Sequence, residues 1–419
     1  SIIKLVSKIQ QQFNIAVDIR LIFKNTSFNY QLELIKNASE NEFIEIQPAS
    51  YKEHYPQSDA QKRFFILNQM APAILTYNAP AAIEVEGIFI KSFQTPFDLS
   101  VPTQLKVGIY KTGGSRFYII TDIHHIIVDR TTFGLIMEDF ATIYKGGQLN
   151  SPKITYKDYA VWQQTNDYVN QLEEQKEFWL NEFKTIPKSL ELPADFPRSQ
   201  VTNFNASSIT FKLTEYENKE LKRICLEQQT TMFALLVAVY HVLLSKLGNQ
   251  DDIVVGSSVL GRNRSDLESI MGVFVNTLPL RSAVVSNQSF KNYLQIFNDN
   301  IVQCFANQEY PFEKLVNQLN LPPQLTRSPL FDVMFEYFNI DLLEVDFPEF
   351  SVKNILLPTT TSDFDLRLKV VVKDNGQHEF NLDYRTDLFT DETIQRFVAN
   401  FKNIVTEIIQ NVDIKLLDD

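Results

Sequence analysis

Between Phe117 and Ile143 the hydrophobic period changes from that of a strand to that of a helix. Residues 117–123 are an apolar run, and Phe133, Ile136, Met137, Phe140 and Ile143 recur on one helical face. A strand that feeds an amphipathic helix is the building unit of an α/β layer. The alternation continues along the chain. Strand-like runs at 81–86, 105–110, 208–213 and 252–258 are interleaved with helical patterns from Ser58 and at 215–228, 230–247 and 391–410. Gly113-Gly114 and Gly376 mark hairpin turns. The predicted class is α/β, with two layers per lobe.

A chain of 419 residues exceeds one ordinary core, so two or more packed units are expected. The first residues read as short helices carrying Ile2, Leu5, Val6, Ile9 and Phe13. An extended piece with Leu21, Ile22 and Phe23 follows, then a helix through Leu32, Leu34 and Ile35. A helix begins at once, as though the chain started inside something larger. A polar join at 37–42 places a boundary near 46–52, and Pro193 and Pro197 mark a crossover between lobes at 190–199. The net charge of -12 argues against a nucleic-acid or anionic-membrane surface. The sequence has no membrane-length apolar run and no signal-peptide pattern at its start. Cys225 and Cys304 form no disulfide framework, which points to a reducing cytoplasm.

The chemistry concentrates where the period changes. His124 and His125 are adjacent, and Asp129 follows four residues after the second. Neighbouring strand residues face opposite ways, so the pair is a poor chelate, and no third ligand stands at suitable spacing. The favoured reading is a division of labour. One histidine faces a cleft and handles a proton near neutral pH, while the other packs or anchors the loop. The alternative is two satisfied histidines followed by a helix-capping acid.

His124-His125-Ile126-Ile127-Val128-Asp129 resembles the HHxxxDG signature of the condensation domains of non-ribosomal peptide synthetases. Other segments agree, in the family's order. Ser58-Asp-Ala-Gln-Lys-Arg-Phe-Phe-Ile-Leu67 is similar to SxAQxRLxxL, and Tyr156 to Trp162 to YxDYAVW. Met271 to Arg281 is similar to IGxFVNTxxxR, Asn307 to Glu313 to HQDxPFE, and Thr326 to Phe331 to the end of SRNPLF. Ser1 to Ile9 resembles the carrier-domain helix after the phosphopantetheine serine, and Arg20 to Thr26 resembles LFxxPT. By that register the modified serine falls just before residue 1, so Ser1 itself is a weak attachment candidate.

The resemblance implies a V-shaped pair of lobes, each like chloramphenicol acetyltransferase, with a tunnel at their junction. Residues 1–46 are then the C-terminal part of a peptidyl carrier domain, 47–52 a flexible linker, 53–195 the N-lobe and 196–419 the C-lobe. The implied reaction is amide formation between carrier-bound donor and acceptor thioesters. Its partners are upstream and downstream carriers and a neighbouring adenylation domain, with 4'-phosphopantetheine as the carrier's covalent arm and no metal. His125 is the implied catalytic residue, as a base or as a hydrogen-bond donor to the tetrahedral intermediate. His124 shapes the loop, Asp129 pairs with an arginine that the family pattern gives as Arg281, and Arg63 gives structural support. Asn276 and Thr277 either line the tunnel or cap a turn. The form of the Ser58–Arg63 motif resembles the subtype that takes an L-configured donor.

Two departures bear on function. The family carries a segment with an RHExLRTxF motif between Glu86-Gly87 and Pro96–Ser100, and it is missing here. Its deletion would strip a helix and strands from the N-lobe core, so a gap in this sequence is the expected explanation. The motif glycine is Arg130, on the acceptor side, which adds bulk and charge beside the histidines. An impaired domain acting in partner recruitment and an epimerisation domain are the rival readings. Elsewhere, Tyr159, Trp162 and His241 are expected in cores, Pro311-Phe312 in a structural turn, and His54 and His378 at the surface.

Overall fold

The computed structural model describes residues 2–13, 15, 17–24, 27–37, 45–70, 75, 77–83, 95–113, 116–199, 204–321, 326–339, 354–355, 360–373 and 375–416. In chain order these form α1 (Ile2–Phe13), α2 (Ile19–Lys24), α3 (Phe28–Asn37), α4 (Asp59–Met70), β1 (Asn78–Ile83), β2 (Leu105–Gly113), β3 (Arg116–His124), α5 (Arg130–Tyr144), α6 (Tyr156–Trp162), α7 (Asn166–Gln171) and α8 (Glu173–Glu182). There follow β4 (Ala206–Lys212), α9 (Glu215–Glu227), α10 (Met232–Gly248), β5 (Asp252–Val259), β6 (Asn276–Ala283), α11 (Phe290–Ala306), α12 (Phe312–Gln318), β7 (Val333–Asn339), β8 (Asn354–Ile355), β9 (Leu366–Val372), β10 (His378–Arg385) and α13 (Asp391–Gln410). No single helix among the described residues is long and apolar enough to cross a membrane.

The described residues fall into two compact units. The first comprises those of Ser1–Glu174, Leu260–Asn276 and Asp341–Leu357, and the second the remainder. Instead of one boundary near 195, the chain leaves the first unit after Glu174 and returns to it at Leu260.

In the first unit an antiparallel sheet of order β2-β3-β1-β8 carries the segment that leads to the histidines. Its β1 starts at Asn78 rather than at 81, and residues 84–94, where the family segment is expected, lie outside the described residues. Residues 21–23 are helical, not extended. Asp18 accepts the Arg20 amide at 2.9 Å, which caps α2, and the turn buries Ile22 against Ile9 and Ile15. The apolar stripe of α5 is not wholly inward. Phe140 and Ile143 are 41% and 58% exposed, whereas the small residues Thr132, Gly134 and Ala141 form the buried side. The join at 46–52 is docked at its start. Ile46 packs with Ile154, Tyr159 and Phe274, and the Ala49 amide donates to Asp158 at 2.7 Å.

The second unit is built on a sheet of order β4-β10-β9-β7-β5-β6. The β4-β10-β9 ribbon is antiparallel, and β7 runs parallel to both β9 and β5. Residues 234–245 of α10 are buried on every side, as expected for a helix apolar all round. His241 lies there with its ring nitrogens against the carbonyls of Val237 and Leu280. Thr214, Thr231, Ser289 and Thr390 cap the helices that follow them, each accepting an amide from the first turn. Tyr159 is buried and Trp162 half-buried in the first unit, and Phe312 is buried in the second. His54 is exposed, but His378 is buried on β10, where Nδ1 meets Asn218 Oδ1 at 2.7 Å and Nε2 meets Tyr337 OH at 3.1 Å. Strand alternation turns it inward, with Phe380.

Candidate active site

The end of β3 pins both histidines by their main chain. The His124 amide donates to the Gln104 carbonyl at 3.0 Å, and the His125 amide to the Tyr77 carbonyl at 2.7 Å. His124 is buried, with its ring edge-on to Phe97 at 5.8 Å. Its Nδ1 accepts the Ile126 amide at 3.1 Å, so a neutral ring carries its proton on Nε2. Burial, helped by the neighbouring His125, pushes its pKa down to about 4. The ring therefore works as a neutral brace for the turn.

His125 is half-buried and turned the other way, its ring stacked on Phe64 at 4.9 Å with 9° between planes. Its Nδ1 is buried and makes no well-aligned hydrogen bond. Burial holds the imidazole below its ordinary pKa. The backbone carbonyl of His125, then Asp129, pull it back up, with a smaller lift from the Val128 carbonyl, and the Arg63 guanidinium pushes it further down. A ring in this state is neutral at physiological pH, able to accept a proton or hold one on its other nitrogen for donation.

Asp129 locks the loop. As the N-cap of α5 it accepts the Thr132 amide at 2.7 Å, and its second oxygen accepts the Phe274 amide at 3.1 Å. Its ionic partner is Arg262, not Arg281. Arg262 Nη2 lies 3.1 Å from each carboxylate oxygen, and both side chains are buried. The same guanidinium donates to Thr132 Oγ1 at 2.8 Å and to the Leu267 and Ile270 carbonyls at 2.6 and 2.7 Å, and lies over the Phe274 ring at 4.1 Å. Arg281 belongs to the second unit. It pairs with Asp252 at 2.7 Å and donates to the carbonyls of Glu182 and Thr185. Sequence reasoning missed Arg262 because it lies outside the quoted motifs. The available signal was Gly261 just before it, which takes a φ of +64°.

Further motif residues converge on the same unit. Ser58 Oγ shares a 2.6 Å hydrogen bond with Tyr156 OH, which donates to the Val273 carbonyl. The Gly272 amide donates to Thr132 Oγ1 at 2.9 Å, and the Asp59 amide to Gln163 Oε1 at 3.0 Å. The segments from Ser58, His124, Tyr156 and Met271 thus form one hydrogen-bonded scaffold around the histidine loop.

Arg63 is half-buried beside this scaffold. Arg130 is the exposed first residue of α5, and its φ is not positive, so the backbone there makes no demand for glycine. The charges that weigh on His125 are Asp129 and Arg63. Asn276 and Thr277 open strand β6 rather than cap a turn, with Thr277 buried. Ser1 lies outside the described residues.

A family model described as "Condensation domain" matches residues 88–418. Gramicidin S synthase 2 of Aneurinibacillus migulanus is 32% identical over 471 residues, covering 99% of this chain and 10% of that protein. The chain thus spans about a tenth of the length of the first curated relatives it matches. Among solved structures, the complex of the X-domain and OxyB from teicoplanin biosynthesis matches with a TM-score of 0.81 at 17% identity, over 90% of this chain and 99% of that one. A four-domain nonribosomal peptide synthetase bound to AMP and glycine matches with a TM-score of 0.78 at 20% identity, over 90% of this chain and 34% of that one.

Proposed function

The chain belongs to the condensation-domain family, and from that premise we propose that it joins a donor acyl group and an acceptor amine, both carrier-bound as thioesters, through an amide bond. The observation that carries this reading is the half-buried His125, held neutral just after β3 on a loop locked by Asp129 and Arg262.

The acceptor nitrogen's lone pair forms the new C–N bond. The C–S electron pair leaves with the donor carrier's sulfur. The proton lost by the amine balances that sulfur as a thiol, so no oxidant or nucleotide is consumed. His125 suits two roles here, taking the amine's proton or hydrogen-bonding the tetrahedral intermediate. The rest of the acceleration is alignment of two tethered reactants.

Phosphopantetheine on the carriers supplies the thioester sulfur. The proposed partners are the upstream and downstream carriers and an adenylation domain of the same synthetase. Residues 1–46 read as the end of the upstream carrier, and the Ser58–Arg63 motif supports an L-configured donor. Two buried free cysteines support the reducing cytoplasm as the compartment.

The test is to load donor and acceptor carriers with isotopically labelled aminoacyl groups and look for the dipeptidyl thioester by mass spectrometry. Product that His125→Ala abolishes is the expected result. Inversion of the donor without a new amide would identify an epimerisation domain. Neither product would leave recruitment, a reading that rested on Arg130, which sits exposed in a regular helix.

A further inference from the structure

His124 and His125 are oriented by different means. His124 has a hydrogen bond to Nδ1, from the Ile126 amide. Nδ1 of His125 is buried and receives no amide; only the His125 and Val128 carbonyls act on the ring from the backbone, without a well-aligned bond. What touches the His125 ring is the flat face of Phe64, parallel within 9° and 4.9 Å away. Phe64 occupies the leucine position of the SxAQxRLxxL pattern, so this aromatic ring is a departure of the present chain.

The stack is itself braced. Phe64 is buried, and Tyr77 meets its ring edge-on at 5.6 Å and 72°. The Tyr77 carbonyl accepts the His125 amide, so one residue fixes both partners of the stack. Ile126 and Val273 pack around Phe64. A leucine could fill much of this volume, but it has no plane to fix the imidazole's rotation and no π-face to favour a cationic ring.

We propose that Phe64 is a positioning residue for His125, setting the plane of the imidazole and favouring its protonated form. The inference rests on the reading of His125 as the reacting group. It assigns Phe64 no contact with substrate. Its effect falls on turnover rather than on substrate binding, because it acts on the ring and not on the carriers.

The experiment uses the full chain with isotopically labelled histidine, titrated by NMR, with His125→Ala to assign the resonance. Phe64→Leu, Phe64→Tyr and Phe64→Met are compared, and condensation is measured with the loaded carriers. Phe64→Leu should unfold as cooperatively as the parent. Its His125 should titrate lower by about half a pH unit, the size of a modest cation–π term. Its kcat should fall about tenfold with KM unchanged, as expected for a misplaced reacting group. Phe64→Tyr should restore both, and Phe64→Met supplies the same readouts if the leucine variant does not fold. A His125 titration and a kcat that both match the parent in the leucine or methionine variant would overturn the proposal. Normal condensation by His125→Ala would instead overturn the reading beneath it, and the NMR arm would still decide whether Phe64 positions the ring.

Discussion

Arg262 reaches Asp129 across 133 residues of chain, and its Nη2 meets both carboxylate oxygens at 3.1 Å. Neither side chain has appreciable exposure, so the pair is shielded from salt and water. The carboxylate also accepts two amides, from Thr132 and Phe274. The guanidinium also donates to Thr132 and to the carbonyls of Leu267, Ile270 and Gly272. The pair therefore joins the loop after β3 to the returning segment at 260–276. His125 is held by this joint without being part of it.

Removing one side of such a pair strands a buried charge, at a cost of about 3–5 kcal/mol. Asp129→Ala should lower the urea midpoint by that measure and reduce condensation as the loop loosens. Asp129→Leu combined with Arg262→Met should recover much of the stability, because the uncompensated charge is gone. Arg281→Ala should cost less, since its partner Asp252 is 43% exposed. An Asp129→Ala protein with the parent's urea midpoint would contradict the structural role.

How far the site is legible in sequence follows from the range of each interaction. The strand-to-helix switch around His124 is local, and β3 and α5 appear where the period changes. The capping role of Asp129 is equally local, set by its place three residues before Thr132 at the start of α5. Its ionic partner is not local. FVNTxxxR offered an arginine at the end of a motif, whereas the fold used one in an unremarked loop. The inward turn of His378 was hidden for a similar reason, because only the pairing of β10 with β4 and β9 fixes which alternate residues face the core. In α2 the helix arises from burial of Ile22, which overrides the strand propensity of an isolated Leu-Ile-Phe run.

Arg130 should matter less than a mismatch in the signature would suggest. It is exposed at the first position of α5. Arg130→Gly should leave the rate of amide formation and the His125 titration unchanged. Stability should fall by no more than about 1 kcal/mol, the usual helix cost of glycine. A rise in condensation rate in that variant would show that the side chain does obstruct the acceptor side.

Stability should fall as the solution is made mildly acidic. Burial pushes His124, His241 and His378 each down to about 4. Above about pH 6.5 these rings are neutral in both folded and unfolded chains. Between 6.5 and 4 the unfolded chain binds protons that the folded one refuses, which costs roughly 1.4 kcal/mol per pH unit for each ring. Asp332 works against them. Burial and the nearby Asp365 raise it to about 6, so the folded carboxyl takes its proton first as the pH falls. Asp122, raised by its own burial, acts in the same sense, while His125 sides with the other histidines. Urea midpoints at pH 7.5, 6 and 5 should therefore decline. His378→Asn should flatten the decline by about one ring's share. An unchanged slope in that variant would remove His378 from the account.

Gly261 and Gly146 give a matched test of how Arg262 is aimed. Both take positive φ, +64° and +78°, so alanine carries a similar backbone penalty at either, about 1 kcal/mol. Their surroundings differ. A Cβ on Gly146 meets nothing within 4 Å, whereas one on Gly261 falls 1.8 Å from the Phe274 carbonyl oxygen. Phe274 cannot yield cheaply, because its amide is bound to Asp129 and its ring lies beneath the Arg262 guanidinium. Displacing it strains both halves of the ion pair, and overpacking of this kind costs about 1–3 kcal/mol more. Gly261→Ala should therefore lose clearly more stability than Gly146→Ala and, alone of the two, slow condensation by loosening the loop that presents His125. Equal losses of stability in the two variants, with equal rates, would mean that the turn at Gly261 does not position Arg262.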